Sequence, residues 1–494
     1  MSDYRAVLSC RLAGKVSADD DICRAYDHDL GEMPGVLLGL FRRRPSCVVL
    51  PKSAEDVREA LRTASEHDIP VTPRGQASSG YGGAMPVRGG LVVDFARMNR
   101  VLAVDAEHGF ADVEPGVVWT DLAERLAEDG LDLRLCPTSG PSSTVGGWFA
   151  MGGSGIGSLM FGGIDQAVSE IDAVGPDGEL RTISSREELA LWCGSAGILG
   201  CVTRLRLVCR PLEPLRHAAL HLHSAKDLAR LLEEAEGMAA YSGTLLSAGY
   251  LALQAEAAGG KAPVDAGFLL NLTFFERKYD RAALEALALR HGARLLPDET
   301  AGHEWAERFH PMRIKRGGPA LLCGEISLPA KNFDRLQALA TRLLGRDRIG
   351  FEAFCGRGGE MAVLVYIPDS NRDALSLFRM GKAMVPLHLA RPLGGRVYSA
   401  GLWFNCQSAR VFGREHYRRL LKKKRLDDPR NLMNPGKICG AGRHFAFCRA
   451  LSLGIWFGTL CALPLSMLLK ARPVRLAPAG AHAPAAANVS IKED

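Results

Sequence analysis

The sequence predicts an α+β protein with two folded parts and an apolar segment near its C-terminus. Short apolar runs alternate with amphipathic helical stretches over most of the chain, which is typical of mixed sheets and helices. Glycines cluster at residues 75–90 and 140–163, as expected for loops whose backbone approaches a ligand closely. After about residue 216 glycines become rarer and helices longer, which predicts an α/β unit of helices packed on one antiparallel sheet.

The elements of the first part follow one another closely. A strand precedes Ser53, which has the position of an N-cap, and a helix with one apolar face follows at residues 54–67. A second helix is predicted at residues 120–128. Strands are predicted at residues 47–50, 69–72, 90–94, 100–104, 110–114, 168–174 and 200–209.

The elements of the second part are longer. A basic helix beginning near residue 411 leads into a turn-rich closing segment. Helices are predicted before it at residues 225–237 and 281–291, and strands at 266–275, 320–328 and 361–367.

Composition excludes several classes of protein. A hydrophobic content of 47% over 494 residues is enough for a globular core, so whole-chain disorder is excluded. The net charge of +6 is scattered, and the only dense basic run is at residues 422–425, which argues against nucleic acid as a partner. The 13 cysteines form no CxxC pair, so neither a zinc site nor an iron–sulfur cluster is expected. With no secretory signal in residues 1–21, these thiols predict a reducing, cytoplasmic location.

Residues 450–469 carry no charge and are long enough to cross the hydrocarbon core of a bilayer. Gly454, Gly458 and Pro464 dilute the segment, so a buried terminal helix is the alternative to membrane association. Basic residues lie on both sides, and charge bias therefore sets no topology. The Ala/Pro-rich residues 471–494 are predicted to be disordered.

Two glycine loops carry the main functional signal. The first, residues 73–83, follows a predicted strand, and the second, residues 136–155, combines glycines with small hydroxyl side chains. Backbone N–H groups in such loops can converge on an anion, and a flat ligand can lie against the exposed main chain. The first loop alone fits an ordinary surface turn equally well. Together the two loops predict a site for a diphosphate with an attached ring.

Around these loops the sequence resembles the FAD-binding domain of vanillyl-alcohol-oxidase-type (PCMH-type) flavoproteins. The resemblance rests on Pro73-Arg74-Gly75, on Pro141-Ser142-Ser143-Thr144-Val145-Gly146-Gly147 and on Gly194-Ser195-Ala196-Gly197-Ile198-Leu199-Gly200. The ending Met433-Asn434-Pro435-Gly436-Lys437 is similar to the glycolate oxidase/D-lactate dehydrogenase (FAD-linked oxidase) branch.

The resemblance implies a domain plan and a set of cofactor residues. The plan is an N-terminal segment (1–41), a PCMH-type FAD-binding domain (42–215), a substrate or cap domain (216–405), a C-terminal return to the FAD domain (406–440), an apolar membrane-association segment (450–469) and a disordered tail (471–494). The implied pyrophosphate loop is Arg74, Gly75, Gln76, Ala77 and Ser78, and the second loop contributes Pro141, Ser142, Ser143, Gly146 and Gly147. Gly197, Gly200 and Val202 are implied near the adenine, and Asn434 and Lys437 near the flavin end.

The departures from the family pattern are also informative. The first loop has no histidine, and Cys136 lies two positions upstream of where the family's flavin-linking cysteine would be expected, so the resemblance implies that FAD is held non-covalently. The region of the family's metal-binding histidines reads Phe354-Cys355-Gly356-Arg357-Gly358-Gly359-Glu360-Met361, which contains no histidine. No metal is therefore expected, and a simple lactate or glycolate substrate is in doubt.

Residues 303–316 hold several cations that could bind an acidic substrate, since guanidinium pairs bidentately with a carboxylate. The alternative is a solvated basic helix. The resemblance implies that Arg308 holds a substrate carboxylate, with Arg313 and Lys315 in support. His388 and His310 are candidate bases for the substrate hydroxyl, although a histidine among apolar neighbours also fits a core position. Tyr398 and Trp403 could line the open face of the flavin, or pack in the core.

The function predicted from these features is dehydrogenation of a 2-hydroxy acid or related alcohol, with hydride passing to flavin N5. Electrons would then leave to an iron–sulfur protein or a quinone. One alternative is a flavin-binding electron-transfer subunit of a membrane-associated oxidase complex, without catalysis of its own. Another is a flavin-dependent ether-lipid synthase, which shares the fold.

Overall fold

The computed structural model describes residues 4–31, 33, 35–41, 43–310, 312, 314–315, 320–345, 347–369 and 376–469. Within these residues the chain forms three sheets with helices packed on them, which confirms the α+β prediction. The tail predicted to be disordered, residues 471–494, lies outside the described residues.

The N-terminal sheet contains four strands among the described residues. Its elements are α1 (Tyr4–Arg11), β1 (Val16–Ser17), α2 (Asp20–Ala25), α3 (Gly35–Phe41), β2 (Cys47–Val49), α4 (Ala54–Glu66), β3 (Val71–Arg74) and β4 (Leu91–Asp94). The strand order is β1-β2-β4-β3, with β2 and β3 parallel to β4 and β1 antiparallel to β2. The Ser53 hydroxyl accepts a hydrogen bond from the Asp56 backbone N–H (3.2 Å), so the predicted N-cap is present. β3 begins two residues later than predicted, because Pro70 has no N–H to extend the ladder.

The middle sheet follows directly. Its elements are β5 (Val101–Asp105), β6 (Phe110–Val113), α5 (Trp119–Ala127), β7 (Leu131–Leu133), α6 (Val145–Met151), α7 (Ser158–Phe161), α8 (Ile164–Ala167), β8 (Val168–Val174), β9 (Leu180–Ile183), α9 (Arg186–Trp192) and β10 (Cys201–Pro211). The order is β5-β6-β10-β8-β9, with β7 also pairing with β10. A buried apolar cluster under this sheet includes Trp119, Phe149 and Trp192. This cluster supports the turn into α6, where the second glycine loop ends.

The cap sheet has eight strands among the described residues, in the order β14-β11-β13-β12-β16-β17-β15-β18, and all the pairings are antiparallel. Its strands are β11 (Leu215–Leu222), β12 (Ser242–Ser247), β13 (Phe268–Phe275), β14 (Arg294–Leu295), β15 (Ala320–Pro329), β16 (Gly350–Cys355), β17 (Glu360–Asp369) and β18 (Arg396–Val397). The helices of this part are α10 (Leu228–Gly237), α11 (Ala248–Ala258), α12 (Arg281–Arg290), α13 (Asp298–Ala306), α14 (Phe333–Leu344) and α15 (Ser376–Ala390). The predicted α/β cap with one antiparallel sheet is confirmed.

The C-terminal region returns to the first part through α16 (Ser408–Val411) and α17 (Arg414–Asp427). The Val71 N–H donates to the Leu432 carbonyl (2.9 Å), and the Asn434 N–H donates to the Val71 carbonyl (2.7 Å). These bonds attach the closing segment beside β3, the strand that leads into the first glycine loop.

The chain then forms α18 (Gly442–Cys461) and α19 (Leu463–Leu468). Within the described residues, α18 is the one helix whose length and hydropathy would allow it to cross a membrane, with 22% of its most apolar window buried. Both helices pack on α15 of the cap.

Candidate functional site

A cavity of about 330 Å³ lies where loops of the first two sheets face the cap, and we call it the main cavity. Its volume falls in the range of roughly 300–1,000 Å³ that is common for ligand sites. One side, the loop wall, is made by residues of the segments 73–84, 137–154 and 192–202. The opposite side, the cap wall, is made by Met312, Glu325, Phe354, Ala362, Leu364, Tyr366 and Tyr398.

The first glycine loop leaves β3 and crosses the loop wall. Asp29 fixes it, because its carboxylate accepts hydrogen bonds from the backbone N–H groups of Gly31 (3.0 Å) and Gly82 (2.6 Å). Ala77 has a φ of +51°, which lies in the left-handed region that non-glycine residues rarely adopt. The predicted pyrophosphate-loop residues Arg74, Gly75, Gln76, Ala77 and Ser78 all line the cavity.

Arg74 is anchored at the base of this loop. Its guanidinium donates to the His28 carbonyl oxygen (2.7 Å) and lies 5.0 Å from the centre of the Tyr26 ring. Burial lowers the pKa of Arg74 from its ordinary value, and the nearby carboxylates of Asp94 and Asp29 oppose that shift. The side chain thus supports the loop while bordering the cavity.

The second glycine loop packs directly against the first. The Thr144 hydroxyl accepts a hydrogen bond from the Gly147 N–H (3.2 Å), and a Cβ at Gly75 would lie only 2.5 Å from the same oxygen. A Cβ at Gly146 would lie 2.4 Å from the Cβ of Pro115, so any side chain there displaces the start of α6. The predicted residues Ser143, Gly146 and Gly147 line the cavity, whereas Pro141 and Ser142 are exposed outside its lining.

The turn before β10 closes the loop wall. Gly197 has a φ of +70°, and a Cβ there would lie 2.4 Å from the Cγ of Pro73. The three residues predicted near the adenine, Gly197, Gly200 and Val202, line the cavity.

Asn434 and Lys437, predicted at the flavin end, lie buried behind the loops and are not among the lining residues. The Asn434 side-chain amide donates to the carbonyls of Gly83 (2.9 Å) and Ala196 (2.6 Å), which joins the first loop to the turn before β10. The Lys437 ammonium donates to the Met85 carbonyl (2.7 Å), and burial lowers its pKa to about 7. In this structure both residues position the loops.

The loop wall fits a dinucleotide that carries a ring. The glycines Gly75, Gly146, Gly147 and Gly197 line the cavity without side chains, and the apolar side chains of Trp148, Phe149 and Met151 complete this wall. Exposed backbone suits a phosphate, and apolar surface suits a flat ring. The thiol of Cys136 is not part of the lining, and burial raises the pKa of Cys136 to about 12, so it stays neutral.

The cap wall contributes a carboxylate that the sequence did not identify as functional. Glu325 lies on β15, and the Tyr81 hydroxyl from the first glycine loop donates to its Oε2 (2.6 Å). Loss of hydration raises the pKa of Glu325 to about 7, although the Tyr81 hydrogen bond opposes this. Such a group can accept or donate a proton near neutral pH.

Aromatic residues surround this carboxylate. The Tyr398 hydroxyl accepts a hydrogen bond from the Ser154 N–H (2.7 Å), which places this predicted flavin-facing residue between the two walls. Phe354 and Tyr366 line the cavity beside it. Trp403, the other residue predicted there, packs edge-on against Phe41 in the core and is not part of the lining.

Arg308 borders a smaller, more polar cavity of about 40 Å³, which we call the side cavity. The two cavities share Thr138 and Phe354 in their linings. The Arg308 guanidinium lies 4.4 Å from the ring centres of both Trp305 and Phe309, and it donates to the Trp305 carbonyl (2.7 Å). The predicted carboxylate-binding residue is therefore next to the main cavity, outside its lining.

The other predicted catalytic residues are not in the main cavity. His310 is exposed, with its Nδ1 3.8 Å from a Glu307 oxygen. His388 lies on α15, where its Nε2 is 3.3 Å from the Thr459 hydroxyl and its ring contacts Trp456. Lys315 lines neither cavity, and Arg313 lies outside the described residues.

In the part of the chain that the structure describes, no group of three His, Cys, Asp or Glu side chains is placed to hold a metal ion. The segment 354–361 stands where the family has its metal-binding histidines and contains none. It forms the end of β16, a tight turn and the start of β17.

The family model for an FAD binding domain matches residues 45–184, a segment that contains both glycine loops. Glycolate oxidase subunit GlcD of Bacillus subtilis is 29% identical over 197 residues, which are 38% of this chain and 42% of the relative. The mitochondrial D-lactate dehydrogenase [cytochrome] of Arabidopsis thaliana is 34% identical over 171 residues, 33% of this chain and 30% of the relative. The matched part thus spans less than half the length of these relatives.

Two solved structures extend the likeness to most of the chain. An alkyldihydroxyacetonephosphate synthase covers 88% of this chain and 86% of its own, with a TM-score of 0.69 and 18% identity. A p-cresol methylhydroxylase with substrate bound covers 88% and 96%, with a TM-score of 0.71 and 16% identity. At this identity the likeness shows a shared fold, including the cap.

Proposed function

We propose that this protein is an FAD-dependent oxidoreductase that dehydrogenates a CH–OH group of a 2-hydroxy acid or related alcohol. The observation that carries the proposal is the carboxylate of Glu325, which faces the glycine loops across the main cavity and has a pKa of about 7. Hydroxyl oxidation needs a base at the place where a hydride leaves, and this carboxylate has a suitable position and pKa.

The two walls of the main cavity have different roles in this proposal. The loop wall holds FAD non-covalently, and when bound FAD supplies the acceptor for the hydride. Glu325 takes the hydroxyl proton, and Tyr81 orients its carboxylate through the 2.6 Å hydrogen bond. The apolar cap wall excludes water from the reacting carbon, and Arg308 attracts the carboxylate of an acidic substrate from the side cavity.

The electrons then pass to an iron–sulfur protein or a quinone. A reduced flavin has to be reoxidised before the next turnover, so the proposed reaction needs a second substrate that accepts the electrons. A cytoplasmic protein in contact with the membrane would have access to a quinone.

The first test is an absorbance spectrum of the purified protein before and after denaturation, followed by anaerobic mixing with glycolate, D-lactate and neutral primary alcohols. We expect flavin bands, release of free FAD on unfolding, and bleaching by one of these substrates. A protein that binds FAD but is bleached by none of them would support the electron-transfer subunit instead. A preparation that stays colourless after incubation with FAD would refute the cofactor assignment.

A second candidate function is ether-lipid synthesis on the flavin without net oxidation. It is favoured by the match to the alkyldihydroxyacetonephosphate synthase of Trypanosoma brucei brucei, 34% identical over 175 residues, and by the solved synthase structure of the same fold. The distinguishing result is replacement of the acyloxy group of a lipid substrate by the alkoxy group of an added long-chain alcohol, with release of the fatty acid and with the flavin spectrum the same before and after turnover.

A further inference from the structure

The C-terminal helix pair, α18 with α19, presents large apolar side chains to solvent. Leu453, Phe457 and Leu460 follow the i, i+4, i+7 spacing on the outer face of α18, and Phe457 is 56% exposed. On α19, Leu465 and Leu468 continue this surface, and Leu468 is 68% exposed. Apolar surface that is contiguous in this way marks an interaction site, whereas single exposed residues do not.

The inner face of the helix pair is held against the protein by hydrogen bonds and by buried side chains. The Ser452 hydroxyl donates to the Trp403 carbonyl (2.7 Å), and the Ser466 hydroxyl donates to the Phe378 carbonyl (2.6 Å). Cys448 and Trp456 of α18 are also buried against the protein. The face of α18 toward the protein is thus mainly apolar, and its outer face carries large apolar side chains as well, which is unusual for a helix on a water-exposed surface. The same contacts hold the pair along the protein surface, so α18 cannot cross a bilayer without losing them.

Positive charge surrounds the start of α18. Arg443 and Arg449 are exposed, and Arg449 precedes Leu453 by one helical turn, in line with the apolar stripe. Arg88 and Arg43 lie near His444, whose pKa is lowered by burial and then by the charges of these arginines and Lys437. No acidic residue occurs between residues 440 and 469.

We propose that the helix pair lies flat on an anionic lipid surface, with the outer face in the boundary between headgroups and acyl chains and the arginines at the headgroups. An apolar stripe bordered by arginines is the combination that interfacial helices use, because burial of apolar area and attraction to anionic lipids act together. A protein partner would need to match both the uncharged stripe and the basic border. This inference is independent of the FAD site and stands or falls separately from the proposed activity.

The test is flotation of the full-length FAD-loaded protein with two kinds of vesicle. One kind is phosphatidylcholine alone, and the other contains about 30% of the anionic lipid phosphatidylglycerol. We expect binding to the anionic vesicles and at least tenfold weaker binding to the neutral ones. The double variant Leu453→Glu/Phe457→Glu should lose the binding. Leu289→Glu, at an 83% exposed residue of α12, is the matched control and should bind like the parent.

A second variant separates charge from apolar contact. Arg443→Gln/Arg449→Gln should weaken binding to anionic vesicles about tenfold and remove most of its salt dependence, and a thermal melt checks that loss of the Arg449–Tyr417 hydrogen bond leaves the fold intact. Equal binding to both lipid compositions would overturn the role of the arginines. Resistance of the bound protein to extraction by alkaline carbonate would overturn the flat orientation in favour of a membrane span. If the parent protein failed to bind vesicles, the proposal would be refuted, whether or not two copies of the protein associate through the outer face of the helix pair.

Discussion

The two walls of the main cavity are built in different ways. In the loop wall, Pro115 and Pro73 come so close to Gly146 and Gly197 that neither glycine has room for a Cβ, so the shape depends on close packing of the loops. In the cap wall, the chemistry depends on side chains, and the pair Tyr81–Glu325 joins residues 244 positions apart. The comparison indicates that cofactor binding is encoded in short local motifs, while the substrate chemistry depends on how distant strands meet.

The largest effect is expected from a single methyl group in the loop wall. Gly146→Ala places a Cβ about 2.4 Å from that of Pro115, so the start of α6 must shift, and FAD binding should weaken by more than tenfold. The measurement is the flavin-to-protein ratio together with FAD affinity from fluorescence quenching. Gly237→Ala is the control, because nothing lies within 4 Å of its Cβ position. Normal FAD affinity in Gly146→Ala would show that main-chain packing does not define this wall.

The loop wall was largely predictable because its residues follow one another in sequence. The resemblance implied the segment Arg74–Ser78 and the pair Gly146–Gly147 as cofactor residues, and the structure brings them to one cavity. Pro141 and Ser142 belong to the same motif, but a short 3-10 turn directs them away from the cavity. That turn depends on packing around the loop, which a motif does not report.

The next largest effect is expected in the cap wall. Glu325→Gln keeps the size of the side chain but removes the base, so flavin reduction by substrate should slow by about 100-fold or more while FAD content stays the same. The parent rate should rise as pH increases through about 7, since Glu325 acts as a base only when ionised. The variant should lose this dependence. Stopped-flow reduction under anaerobic conditions, from about pH 5.5 to about pH 8.5, measures both.

Glu276→Gln, at an exposed carboxylate of the cap, is the control for this variant and should retain the parent rate and pH profile. If Glu325→Gln reduced the flavin at the parent rate, the base would have to be another group. The cap wall would then act only through its shape.

Little of the cap wall could be predicted from the sequence. A single carboxylate in the apolar run of β15, Ala320–Pro329, was the available signal for Glu325, but its partner Tyr81 lies in another sheet's loop. His388 and His310 were selected because imidazole suits acid–base chemistry. Their location depends on tertiary packing, which seats His388 against Trp456 and leaves His310 exposed.

Arg308 tests whether the side cavity takes part in substrate binding. Arg308→Ala should raise KM for an acidic substrate about tenfold with little change in kcat, because a charge contact remote from the reacting carbon stabilises ground and transition states alike. Arg308→Lys should recover part of the affinity, and neutral alcohols should show no change with either variant. If Arg308→Ala left the KM for acidic substrates unchanged, Arg308 would have no role in substrate binding, and its contact with Trp305 would be structural.

The smallest effect is expected from His217, which stacks on Trp305 with ring centres 4.6 Å apart in the side cavity. Burial, followed by the charge of Arg308, lowers the pKa of His217 to about 4. The His217 imidazole therefore binds a proton more readily in the unfolded chain than in the folded one, so the free energy of unfolding should fall as pH decreases from about 6.5 to about 4. Because His217 is partly exposed, we expect a decrease on the order of 1 kcal/mol. His217→Phe keeps an aromatic ring on Trp305 and should flatten this part of the stability profile in thermal melts. His108→Gln, at an exposed histidine, should leave the profile unchanged, and an equally steep fall in His217→Phe would show that another group titrates there.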